Sequence, residues 1–176
     1  MIFSKIPLQD ARIIEPERLE DHRGFYARGL CQREFANEGL VLNLVQSNIS
    51  FTHKKGTLRG MHYQVAPHQE VKIVRCTRGA IFDVIIDMRP ESSTYLKWFG
   101  VELNEENRKT LYIPGGFAQG FETLRDNTEV SYGVNEYYHP ECEKGLRYND
   151  PAFGIEWPFE PEVITDKDKS WPDYDS

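Results

Sequence analysis

Apolar and polar residues alternate along this chain in short runs, and each run stops at Gly, Pro or Asn. Period-two alternation suits a strand with one buried face. It does not suit a helix, whose apolar residues recur every three or four positions. Residues 71–76 read as such a strand, with Gly79 turning the chain. Residues 80–87 follow, apolar and β-branched, and stop at Arg89-Pro90. Residues 94–103 are rich in Thr, Tyr, Trp, Phe and Val. Residues 111–113 end at Pro114-Gly115-Gly116, and residues 129–134 form a further run. Only residues 32–38, before Gly39, have a helical pattern, and it is short. Many short strands with turns about every 8–12 residues predict an all-β sandwich or barrel of antiparallel strands. From Asp150 onward, Pro151, Pro158, Pro161 and Pro172 deny the backbone a regular ladder. That stretch is expected to wrap the barrel as an irregular tail.

The chain's 176 residues suffice to bury one core, and a single domain over residues 1–176 is expected. Twenty-one Lys and Arg against 28 Asp and Glu give a net charge of -7. Such a chain is a poor partner for nucleic acid or an anionic membrane, although a local basic pocket can hold a small anion. Its apolar stretches fall far short of the ~20 residues that cross a bilayer. The opening MIFSKIPLQDARI lacks the basic start, long apolar run and small-residue cleavage site of a signal peptide. Cys31, Cys76 and Cys142 are odd in number, with no CxxC spacing, as expected for reduced thiols of a cytoplasmic protein.

Alternation also sorts polar side chains by face. His62 and Gln64 share one face of Leu58-Arg59-Gly60-Met61-His62-Tyr63-Gln64. Lys72 shares a face with Val74 and Cys76, and Tyr132 with Val130 and Val134. Taken singly, each has a plain structural explanation: a satisfied core histidine, a lysine reaching the rim, a packed tyrosine. A lysine among apolar neighbours nevertheless needs a partner or a ligand, because burying a lone charge costs several kcal/mol. Arg23, beside Gly24, and Arg59, beside Gly60, suit bidentate contact with phosphate.

Small barrels of the cupin type commonly bind a metal through a His-x-His pair and a later His after a Pro-x-Gly turn. Here those positions read His62-Tyr63-Gln64 and Pro114-Gly115-Gly116-Phe117-Ala118-Gln119. Glutamine is a poor ligand for zinc or iron. His22, His53, His68 and His139 show no replacement pair at i, i+2 or i, i+4. No metal is therefore expected at this position, and acid–base chemistry is.

Together these segments resemble the dTDP-4-dehydrorhamnose 3,5-epimerase family. The likeness runs in order through Asp21-His22-Arg23-Gly24-Phe25-Tyr26, Gln46-Ser47-Asn48-Ile49-Ser50 and Gly56-Thr57-Leu58-Arg59-Gly60-Met61-His62-Tyr63-Gln64. It continues through Val71-Lys72-Ile73-Val74-Arg75, Asp83-Val84-Ile85-Ile86-Asp87-Met88-Arg89 and Ile113-Pro114-Gly115-Gly116-Phe117-Ala118-Gln119-Gly120-Phe121. It closes at Asn149-Asp150-Pro151 and Lys167-Asp168.

The resemblance implies a cupin-type jelly roll that dimerises, with no cofactor. It implies epimerisation at C3 and/or C5 of a nucleotide-linked 4-keto-6-deoxyhexose, of the type dTDP-4-dehydro-6-deoxy-D-glucose to dTDP-4-dehydro-L-rhamnose. On the same ground His62 is the base and Asp168 its orienting partner. Lys72 stabilises the enolate, and Tyr132 is the acid on the opposite sugar face. Arg23 and Arg59 hold the diphosphate, and Gln46, Asn48, Gln119, Glu143 and Lys167 are further binding positions. The chain departs from the family pattern at Gln119, commonly His, and at Arg28, commonly Glu. A C3-only epimerase on a differently activated sugar, a non-catalytic sugar-nucleotide receptor and a metal-dependent oxygenase are the alternatives. Because Gln64 and Gln119 stand where ligands would, epimerase activity is expected to survive prolonged treatment with EDTA. Loss of activity that one divalent metal restores would contradict this reading.

Overall fold

The computed structural model describes residues 1–174. In chain order the first strands are β1 (Ile2–Lys5), β2 (Arg12–Glu15), β3 (Leu19–Asp21) and β4 (Gly24–Tyr26). Helix α1 (Gln32–Asn37) precedes β5 (Gln46–Thr52), β6 (Leu58–Gln64), β7 (Lys72–Arg78) and β8 (Ala80–Asp87). Then come β9 (Trp98–Asn104), β10 (Thr110–Ile113), β11 (Phe117–Thr123), β12 (Thr128–Val134) and β13 (Glu143–Gly145). The short helix α2 (Asp166–Lys169) lies in the tail. One sheet has the order β1-β2-β10-β7-β12-β5 and the other β13-β6-β11-β8-β9, while β3 and β4 form a separate hairpin. The pairings are antiparallel. This is the two-sheet jelly roll of the cupin type.

The side chains that alternation sends inward build the core between the sheets. Val74, Cys76, Ile81, Ile85, Leu111 and Val130 are all at most 1% exposed. The opposite faces are covered too. Helix α1 places Phe35 against Ile14, Ile73 and Tyr112 outside the first sheet. The tail places Phe153, Ile155 and Trp157 over Met61, Val84 and Ile86 outside the second. Burial on both faces explains why β8 reads as an almost unbroken apolar run.

The expected strand at residues 94–103 begins only at Trp98. The cause is Asp87, fully buried, which gathers the preceding turn. It accepts from Arg89 Nε at 2.9 Å, Ser92 Oγ at 2.5 Å and Thr94 Oγ1 at 2.7 Å. Thr94 serves that carboxylate instead of a ladder. The tail is irregular, as expected, but it includes α2 and a parallel bridge from Val163 to Thr57. It also packs closely: a Cβ on Gly145 would lie 2.1 Å from the Trp171 ring, so only glycine lets this ring seat. The first two strands, and the strand character of residues 46–52 and 117–123, were not among the runs that alternation singled out.

Glu122, on β11, is fully buried beneath the tail, where its Oε2 accepts from Phe159 N at 3.2 Å. Burial pushes its carboxyl up to about 7, with Glu160 adding to the rise and the Phe159 bond and Lys55 opposing it. The folded state thus holds this proton more tightly than the unfolded chain does. Stability must fall as pH rises from the ordinary value of 4.5 through about 7. Glu122→Gln is expected to flatten this slope in thermal melts across that window, leaving only what buried Asp83 contributes with the same sign. An unchanged slope would contradict the assignment.

Candidate active site

A cleft opens between the two sheets, with β6 and β11 on one wall and β5, β7 and β12 on the other. His62 and Gln119 are cross-strand partners on the first wall. On the second, Tyr132 pairs with Asn48 and Lys72 with Val134. Two chambers, of about 230 and 300 Å³, share His62, Lys72 and Tyr132. Gln46, Asn48 and Glu143 line the first, and Arg59, Gln119, Lys167 and Asp168 line the second.

His62 Nε2 lies 2.6 Å from Asp168 Oδ1. Asp168 is 3% exposed and also accepts from Gly60 N at 3.3 Å through Oδ2. Burial alone raises its carboxyl; the bond to His62, that ring's charge and the Gly60 N–H outweigh burial and hold it below the ordinary value. It therefore stays an anion and an acceptor. With Nε2 engaged, Nδ1 is the nitrogen left to take a proton. Two local features place Asp168. Thr165 caps α2, its hydroxyl accepting from Asp168 N at 3.2 Å. Gly60 has φ +116°, and a Cβ there would lie 2.6 Å from Gly120 Cα, so glycine alone allows β6 this approach.

Opposite the dyad, Lys72 is 8% exposed and its Nζ lies 3.1 Å from Glu70 Oε1. The Tyr132 hydroxyl is held above its ordinary value, first by burial and then by the Glu70 charge, with Arg59 opposing. It keeps its proton at neutral pH and can donate it. Gln119 Nε2 donates to Asp83 Oδ1 at 2.9 Å. Asp83 is fully buried; burial pushes it up to about 7 against Gln119 and Lys72. At the mouth, Glu143 accepts from Lys167 Nζ at 2.7 Å and from Tyr138 Oη at 2.8 Å. Arg59 is aimed by Thr52 Oγ1, 3.1 Å from its Nε.

Ten of the eleven side chains expected at the site thus line one cleft. Arg23 does not. It stands on the β3–β4 hairpin, 78% exposed, paired with Asp21. Arg28 also lies away from the cleft chambers and pairs with Glu34 on α1. Sequence reasoning missed Glu70, Asp83 and Tyr138. Glu70 stands two residues before Lys72, and Asp83 interrupts an apolar run; both patterns are visible in the sequence. It also found no second histidine pair, yet folding brings His68 and His139 into contact.

A cleft between two jelly-roll sheets thus has a hydrogen-bonded His–Asp pair on one wall and a lysine and a tyrosine on the other, groups able to move protons and to stabilise developing negative charge. The family model for dTDP-4-dehydrorhamnose 3,5-epimerase matches residues 5–176. A curated dTDP-4-dehydrorhamnose 3,5-epimerase of Methanothermobacter thermautotrophicus is 44% identical over 172 residues, covering 96% of this chain and 92% of the relative. The crystal structure of the Elizabethkingia anophelis dTDP-4-dehydrorhamnose 3,5-epimerase superposes with a TM-score of 0.96. It is 37% identical and covers 99% of this chain and 96% of that one. A Legionella pneumophila dTDP-6-deoxy-D-glucose-3,5-epimerase in complex with dTDP-4-keto-L-rhamnose superposes with a TM-score of 0.88. It is 34% identical, with 99% of each chain covered. This chain belongs to the dTDP-4-dehydrorhamnose 3,5-epimerase family.

If Asp168 depends on its cap, Thr165→Ala loosens α2 by about 0.5–2 kcal/mol locally. Turnover is expected to fall, by less than the ~10²–10⁴-fold that removing a general base costs, with little change in the melting temperature. Unchanged turnover would show that Asp168 is held by Gly60 and the tail alone.

Proposed function

We propose that the protein inverts C3 and C5 of a dTDP-linked 4-keto-6-deoxyhexose by removing and returning protons through an enolate. The observation that carries this reading is the placement of His62 and Tyr132 on opposing sheets, with Lys72 beside Tyr132. The chamber that His62, Lys72 and Tyr132 line holds about 300 Å³, room for one pyranose ring between them.

A C–H bond next to a ketone is weakly acidic. His62 Nδ1 takes that proton, and the electron pair moves through the C–C bond onto the C4 oxygen. Lys72 Nζ stabilises the resulting enolate oxygen in a cleft where little water competes. Tyr132 then donates its hydroxyl proton to the opposite face of the carbon, which completes the inversion. The imidazolium and tyrosinate that remain are reset by proton exchange with solvent, so no net acid or base is consumed. Asp168 holds the His62 ring and stabilises its charged form. Arg59 and Lys167 bind the diphosphate; Gln46, Asn48 and Glu143 contact the substrate. Gln119, fixed by Asp83, hydrogen-bonds the sugar without carrying a proton.

The chain works as one domain and as a homodimer in the cytoplasm. Supporting the dimer, β5 is an edge strand carrying Ile49, 72% exposed, and the outward hairpin carries Leu19, Phe25 and Tyr26. That hairpin would bring Arg23 to the diphosphate in the second copy's cleft. Among the described residues no helix is long and apolar enough to cross a membrane.

Proton NMR of the 4-keto-6-deoxyglucose nucleotide in heavy water tests the reading. The wild type is expected to exchange deuterium at C3 and C5. His62→Ala is expected to slow exchange at both carbons by about 10²–10⁴-fold. Exchange at the wild-type rate in His62→Ala would remove His62 as the base, and exchange at C3 alone would reduce the reaction to one centre.

A further inference from the structure

Outside the proton-transfer residues, the loop after β6 and the segment after β12 bring two histidines together. The rings of His68 and His139 stack with centroids 3.5 Å apart and planes at 12°. Glu136 faces both: its Oε2 lies 3.5 Å from His68 Nδ1, and its Oε1 lies 3.8 Å from His139 Nε2. One ligand atom from each of the three lies within 4.8 Å of the others. Behind them, Glu141 Oε1 is 3.2 Å from His139 Nδ1. A metal-bound histidine characteristically gives its other N–H to a carboxylate in this way.

Two further observations set this cluster apart from a chance surface group. His68 Nδ1 is shut off from solvent and has no hydrogen-bond partner among the described residues. Glu136 Oε2, 3.5 Å away, does not complete a hydrogen bond with it, so in the neutral ring this nitrogen's lone pair is open to a cation. The frame is also fixed in advance. Gln64, 3% exposed, donates through Nε2 to the carbonyls of His68 at 3.0 Å and Tyr137 at 3.1 Å. Its Oε1 accepts from His139 N at 2.6 Å. One buried amide thus locks together the two segments that carry the nitrogen ligands.

We propose that His68 Nδ1, His139 Nε2 and Glu136 form a binding site for a zinc-like divalent cation at the rim of the cleft, with Glu141 orienting His139. Bonds of about 2.0–2.1 Å to nitrogen set ligand–ligand edges of roughly 3.4 Å in a tetrahedral shell. The near-parallel rings aim their in-plane lone pairs side by side, so binding must turn the two imidazoles out of their stack as well as draw the three groups together, with the backbone held by Gln64. Two imidazoles and one carboxylate select zinc and its neighbours over magnesium or calcium, which take oxygen. The cation cross-links the β6–β7 loop to the segment leading through Tyr138 to Glu143. It stiffens the mouth of the cleft and takes no part in proton transfer at His62.

The test uses the full chain without an affinity tag, stripped with EDTA and titrated with zinc sulfate by calorimetry, alongside thermal melts with and without zinc. The wild type is expected to bind about one zinc ion per chain, unchallenged by excess magnesium, and to melt higher with zinc present. His68→Gln and His139→Gln are each expected to weaken binding at least ~10-fold, to lose the zinc-dependent rise, and to keep the metal-free melting temperature and epimerase turnover. His53→Gln is expected to bind zinc as the wild type does. If either histidine variant melts lower without metal, Glu136→Gln decides, and it too must lose the zinc. No zinc uptake by the wild type would overturn the proposal, as would uptake unchanged in the His68, His139 or Glu136 variants.

Discussion

The 2.6 Å hydrogen bond between His62 and Asp168 is the contact on which the rest of the site depends. It joins β6, in the second sheet, to a helix near the end of the chain. Asp168 cannot reach His62 unless the tail has crossed the outer face of the second sheet and turned at Thr165. The Trp171 ring against Gly145, the Val163 bridge to Thr57 and the Glu122 bond to Phe159 N all serve that docking. The tail thus supplies one partner of that hydrogen bond even though almost none of it lies in a sheet.

The two-sheet architecture supplies the second requirement, which is opposition. Inverting a carbon needs removal of a proton on one face and delivery on the other. A jelly roll offers two walls that face each other at a nearly fixed spacing, and here the dyad occupies one and Lys72 with Tyr132 the other. Burial sets the proton affinities. It keeps Tyr132 protonated with help from Glu70, while the anionic Asp168 is maintained by its hydrogen bonds against the same burial. One environment thus holds a protonated phenol on one wall and an anion on the other.

Much of this was legible in the sequence, for identifiable reasons. Period-two alternation at residues 71–76 and 129–134 put Lys72 and Tyr132 on the inward face, and that is where they stand. Residues 80–87 were readable because a strand buried on both faces is apolar throughout. What escaped depended on contacts distant in sequence. A helix of four residues leaves little periodic signal, so α2 was hidden in a proline-rich stretch. Thr94 looked like strand because Tyr95, Trp98 and Phe99 follow it, and only the buried Asp87 shows why it turns instead. Arg23 was grouped with the cleft by motif, but one copy of the chain carries it outward. The His68 and His139 pair has no local spacing at all; Gln64, read as a vacant ligand position, is what brings the two segments together.

The central claim is that two residues on opposite walls perform two separable proton transfers. Tyr132→Phe tests it most directly, because it deletes one hydroxyl and leaves the ring to pack. In heavy water, the account predicts that this variant still exchanges deuterium at the carbon next to the ketone, since His62 can remove a proton and return one to the same face. It also predicts that the product of inverted configuration falls sharply, because no acid stands on the other side. Inversion at the wild-type rate in Tyr132→Phe, read in the same NMR spectra, would contradict the account.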